Sequence, residues 1–130
     1  MVCFSRLLSK AYESLFSISA TLRPAELSCT AIDVVSNDLE QWRVSIPEPF
    51  RPGSLFPSAG LQPHSSMEVA LRIRYHYYSA VIALSRLDLQ VSAERYKTRE
   101  TESRMMLMNT ARAIIELTRY IDAEPHTPIW

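Results

Sequence analysis

The chain has 130 residues, 47% of them hydrophobic and 22% charged, which suits one domain with one core and excludes a disordered or low-complexity polypeptide. Fourteen Lys plus Arg balance fourteen Asp plus Glu, so no global positive field draws in a nucleic-acid backbone, and no stretch approaches the roughly 20 uninterrupted apolar residues of a bilayer span. Cys3 and Cys29 lie far apart in sequence, without a CxxC pair or a neighbouring His, so neither a disulfide framework nor a zinc site is signalled and reduced thiols are expected.

The N-terminal MVCFSRLLSKAYESLFSISATLR carries Arg6, Lys10 and Arg23 against one acid, Glu13, and is rich in Ser, which partly mimics a mitochondrial presequence. The other reading is an amphipathic helix whose Leu7, Leu8, Ala11, Tyr12 and Leu15 form one stripe. Pro24 fits the start of a second helix, where its missing N–H costs nothing. From there Leu27, Ala31, Val34 or Val35, Leu39, Trp42 and Ile46 recur at steps of three to five residues, and the helix ends at Pro47.

Residues 47–64, PEPFRPGSLFPSAGLQPH, hold five of the eight prolines and both glycines. Proline lacks the amide hydrogen and glycine loses the most backbone entropy, so this stretch is a loop between two helical halves. Ser65 or Ser66 can cap a third long helix, with Glu68 placed four residues before Arg72 for a helical ion pair. QVSAERYKTRETESR, residues 90–104, is charged and poor in large apolar side chains, and its first part, 90–100, reads as a mobile, solvated linker. Its Arg95, Lys97, Arg99 and Arg104 are offset by Glu94, Glu100 and Glu102, so a phosphate-binding patch is the weaker reading. A last helix is expected from near Thr101 through Met105, Met108, Ala111, Ile114, Ile115, Thr118 and Ile121, with Pro125 as its stop. The expected fold is all-α: a single helical domain over residues 1–130 with four to five helices packed in antiparallel fashion.

The third helix contains Tyr75, His76, Tyr77 and Tyr78 in succession. At about 100° per residue, four consecutive side chains point in four directions and cannot converge on one small substrate. They surround the helix, and Ala80, Val81, Ile82, Ala83, Leu84 and Leu87 then leave it little polar face, as expected for a helix packed on several sides. Tyrosine suits such a place, offering a large ring and a hydroxyl for a carbonyl or water at the edge of the core. His76 reads as a hydrogen-bonded core residue, since His64 and His126 lie in loop-like segments without helical spacing to it. No Gly-rich phosphate loop, GxSxG or HExxH is present. The acids are spread over helix faces expected to be exposed, so neither catalytic nor metal-binding residues are assigned.

Three blocks, DLEQWRVSIPEPFRP (38–52), RIRYHYYSAVIALSRL (72–87) and NTARAIIELTRYI (109–121), follow one another as the corresponding blocks do in the fungal-specific transcription factor domain. That domain is the middle region found downstream of zinc-cluster DNA-binding modules, and the chain resembles it over nearly its whole length. The matching positions are Trp42, Arg43 and Pro47, then Tyr75, His76, Tyr77 and Arg86, then Ala111 and Arg112, all taken as motif or core residues. Where many members read His-Arg-Pro after the tyrosine-rich helix, this chain has Ser85, Arg86 and Leu87, so only the arginine carries over.

The resemblance implies a nuclear regulatory and protein-interaction region of an RNA polymerase II transcription regulator, not an enzyme. Cytoplasm, and less so the mitochondrion, are the alternative locations. It implies no cofactor in this chain, because zinc belongs to a six-cysteine module that two cysteines cannot build, and no direct contact with DNA or membrane. Its partners would be other proteins, missing parts of a larger helical domain of which this chain is a fragment, or a small-molecule effector. The alternative is a stand-alone helical adaptor that forms homo-oligomers.

Overall fold

The computed structural model describes residues 3–56, 64–93 and 95–121. Proline placement sets the second helical segment. Pro24 is the N-cap (φ −57°, ψ 149°) of a helix over Ala25–Ser45, and Ile46, forced out of the helical region by Pro47, ends it at ψ 135°. Before it come α1 (Phe4–Ala11), a π-helical turn (Tyr12–Phe16) and the short α2 (Ile18–Thr21); the Pro24-capped helix is α3. Ser17 caps α2, its Oγ accepting from the Ala20 amide at 3.3 Å. Beyond the loop run α4 (His64–Ser92), α5 (Lys97–Leu117) and a final 3-10 turn (Thr118–Tyr120). The chain is all-α, with five α-helices and no strand among the described residues.

α4 is the central element. α3 packs along one side of it and α5 along another, while α1 lies on α3. The apolar core sits where α1, the π turn, α3 and α4 meet, built from Leu7, Ala11, Leu15, Ile32, Val35, Leu39 and Leu84, with Trp42, Tyr77, Ala80, Val81, Leu87 and Val91 packed against it. The Glu68–Arg72 pair forms across one turn of α4 at 2.6 Å.

Several expectations need correction. α4 does have a solvent face, the stripe of Val69, Arg72, His76, Ser79, Ala83, Arg86 and Gln90. Leu8, Tyr12, Val34 and Leu27 are exposed, because the true buried stripes run through Leu7, Ala11 and Leu15 and through Cys29, Ile32, Val35 and Leu39. The supposed 90–100 linker is mostly helix: α4 continues to Ser92 and α5 begins at Lys97, four residues before Thr101. α4 begins at His64, which places that residue on a helix and not in a loop. Ser65 and Ser66, the expected alternatives for the cap, both lie inside α4 because the helix starts before them; the loop residues 57–63, the stop at Pro125 and His126 lie outside the described residues.

Candidate functional site

The predicted motif residues separate into two groups. Trp42, Arg43, Pro47, His76 and Tyr77 belong to one region where α1, α3, the loop and α4 adjoin. The Phe4 ring of α1 lies 4.6 Å from the Trp42 ring and 5.6 Å from the His76 ring. Arg43 grips Glu40 with its Nε (3.0 and 2.8 Å) and Nη2 (2.5 Å), and turns its Nη1 to the Pro52 carbonyl at 3.0 Å. The Tyr77 hydroxyl donates to Glu40 at 3.5 Å. That guanidinium holds the Glu40 carboxyl below its usual range and is itself raised by it. Burial, reinforced by the Glu40 charge, pushes Tyr77 up to about 12. Pro47 is exposed, with its carbonyl accepting from the Phe50 and Arg51 amides at 2.9 and 3.0 Å.

His76 is exposed, not a buried hydrogen-bonded core residue, because its position on α4 falls on the solvent stripe. Tyr75 is half-buried, as is Tyr78, which meets Tyr77 edge-on at 5.5 Å. The divergence of the four rings is therefore realised, with one of them facing solvent. Arg86, ten residues along α4 from His76 and so about 15 Å away, is exposed and joins no part of this region. Ala111 and Arg112 are also exposed, so they are not core residues; the inward face of α5 is Ser103, Thr110 and Leu117.

The residues missed by the sequence reading lie between α4 and α5. Asp88 is buried, contrary to the expectation that the acids occupy exposed faces. It accepts from Arg99 Nε at 2.5 Å, from Ser103 Oγ at 2.5 Å and from Ser92 Oγ at 3.5 Å. Arg99 then reaches α3, donating to both Asp33 carboxylate oxygens at 3.1 and 2.7 Å and to the Cys29 carbonyl at 3.3 Å. Held between two carboxylates, Asp33 foremost, it is raised above its ordinary pKa. The donors and acceptors satisfy one another, which makes the cluster a tie among three helices. A signal for it existed: Ser85, Asp88 and Ser92, then Ser103 and Thr110, recur at helical spacing, and such small polar residues let two helices approach closely.

α5 turns large apolar side chains outward, with Arg112 among them. On its helical wheel Met105, Met108 and Ile115 fall within about 80° of one another, opposite Ser103, Thr110 and Leu117. All three are more than half exposed; on the wheel Arg112 falls between Met105 and Met108, and Ala111 lies beside Ile115. At the N-terminal end of α5 lies an open depression of about 610 Å³ lined by Arg95, Tyr96, Lys97, Thr98, Arg99 and Glu102. Among the described residues no three His, Cys, Asp or Glu side chains gather as a metal site, and no helix is long and apolar enough to cross a membrane. Both cysteines are free, Cys3 exposed and Cys29 buried. Comparison with known protein families, with curated proteins and with solved structures finds no match to this chain.

Proposed function

We propose that the chain is a helical protein-interaction domain that works by contact, and that its setting is the regulatory region of a zinc-cluster transcription regulator in a fungal nucleus. The observation that carries the contact reading is the outward face of α5. Met105, Met108 and Ile115 stand exposed on a helix whose opposite side is occupied by a polar seam. Methionine is suited to such a face because its unbranched, polarisable side chain adapts to different partners. The setting is supported by the order of the three motif blocks along the sequence. A partner or small effector with unequal affinity for two helix arrangements would shift the balance between them, and the domain would report that shift.

Fused to a heterologous DNA-binding module, the chain should change transcription of a reporter severalfold. Met108→Glu with Ile115→Glu should abolish that change while circular dichroism stays constant, since exposed substitutions alter stability by only about 0.5 kcal/mol. No reporter response from the folded parent would remove the transcriptional setting. The α5 face would then favour the stand-alone adaptor, for which sedimentation of parent and double variant should differ. Equal sedimentation, with no partner distinguishing the two forms, would remove that reading as well.

A further inference from the structure

Arg74 is only 2% exposed, yet it takes part in none of the ion pairs found among the described residues. Its Nη1 donates to the Ser54 carbonyl at 2.9 Å and its Nη2 approaches the Pro49 carbonyl at 3.5 Å, while the buried Nε has no partner. The Phe56 ring lies 5.0 Å from the guanidinium carbon and stacks on Tyr120 at 4.2 Å. Burial without a carboxylate penalises the charged form, and the group titrates below its ordinary range for that reason.

The segment that covers Arg74 is held to the neighbouring helices by side chains and has few backbone ties. Pro47, Pro49 and Pro52 supply no amide donors, and the bonded amides of Phe50, Arg51 and Ser54 serve carbonyls within residues 47–51. Side-chain hydrogen bonds hold it to its surroundings: Arg43 and Arg74 donate to its carbonyls, and its own Arg51 donates to the Ile46 and Val44 carbonyls at 3.0 and 3.2 Å, supplemented by the burial of Pro52. Segments with few backbone ties open locally at lower free energy than packed helices. Opening here would also return an uncompensated cation to water.

We propose that residues 47–56 form a liftable cover over a latent oxyanion-binding site whose recognising group is Arg74. With the cover raised, the guanidinium fork presents paired donors matching a phosphate or carboxylate, beside the Tyr120 ring at the end of α5. An oxyanion therefore binds the raised form and not the closed one, and it draws the population toward opening. This inference does not depend on the α5 contact reading.

Hydrogen exchange of the full chain tests it, with inorganic phosphate exchanged for chloride at constant ionic strength. The Phe50, Arg51 and Ser54 amides should exchange severalfold faster in phosphate, while amides of α1 and of α4 around Leu84 keep their rates. Arg74→Gln should remove the phosphate effect, and Arg74→Lys, which keeps the charge, should retain part of it and serves if the glutamine variant does not fold. Unchanged or slower exchange of the cover in the parent protein overturns the proposal. So does a phosphate effect that survives Arg74→Gln, which would place the anion elsewhere.

Discussion

The two seams of α4 are built on different physics. Toward α1 and α3 it buries Leu84 and packs Ala80, Val81 and Leu87 against Leu7, Ile32, Val35 and Leu39; toward α5 it buries Asp88 and Ser92, with Asp88 bonded to Ser92, Arg99 and Ser103. The first seam is held by apolar area removed from water, which is nondirectional and tolerates sliding. The second is held by directed hydrogen bonds and an ion pair, which fix the register of α5 but contribute less net stability because the same groups are well solvated when unfolded. An apolar seam gains strength from size, and a polar seam gains definition from complementarity.

Substitutions separate the two. Leu39→Ala, at a position 2% exposed in the apolar cluster, should cost about 2–5 kcal/mol in chemical denaturation, near the upper end if the cavity does not collapse. Asp88→Ala should cost about 2–3 kcal/mol, because Arg99 and Ser103 lose a buried acceptor. The sharper outcome is the paired change Asp88→Leu with Arg99→Met, expected to cost less than Asp88→Ala alone, since replacing both members leaves no orphaned partner. A paired variant worse than the single one would mean that the seam is held by the ion pair itself. Trp42→Ala should cost about 2 kcal/mol, below the value for a fully buried ring, because Trp42 is only half-buried beside Phe4.

The remaining effect is one of pH. With Tyr77 raised from its ordinary value of 10 to about 12, the phenol is protonated in both folded and unfolded chains below pH 10. Between about 10 and 12 the unfolded chain loses that proton first, so the stability contribution of neutral Tyr77 declines as pH rises through this window. A phenolate absorbance titration should show a late step that Tyr77→Phe removes. A variant titration superimposable on the parent's would place that step on another of the six tyrosines.

The apolar seam was readable in the sequence to a greater extent than the polar one. Pro24 and Pro47 bracket α3, and apolar spacing puts Leu39 and Ile46 on its buried side; it leaves Val34 and Val35 as alternatives, of which Val35 is the buried one, and misplaces Leu27, because neighbouring stripes on one helix differ by a single step of the wheel. The loop was evident from its prolines. Arg99 was not readable as a tie, since its partners Asp88 and Asp33 lie 11 and 66 residues away and local charge balance says nothing about such pairings. For the same reason the charged stretch after Gln90 looked solvated, although its first residues end α4 and its later ones open α5. On α5 the spacing of Met105, Met108 and Ile115 marks a helix but not its inward side, which Ser103 and Thr110 occupy because the seam there is polar.

The π-helical turn over Tyr12–Phe16 has a consequence for chain length. Each such turn accommodates about one residue more than an α-turn, so shortening the segment by one, for instance by deleting exposed Glu13, would restore ordinary winding and leave Leu15 near its inward bearing. The same deletion in the middle of α3 would swing every later side chain by about 100°. Natural variants that differ by a single residue in length should therefore be tolerated at this bend and rejected a few turns further on.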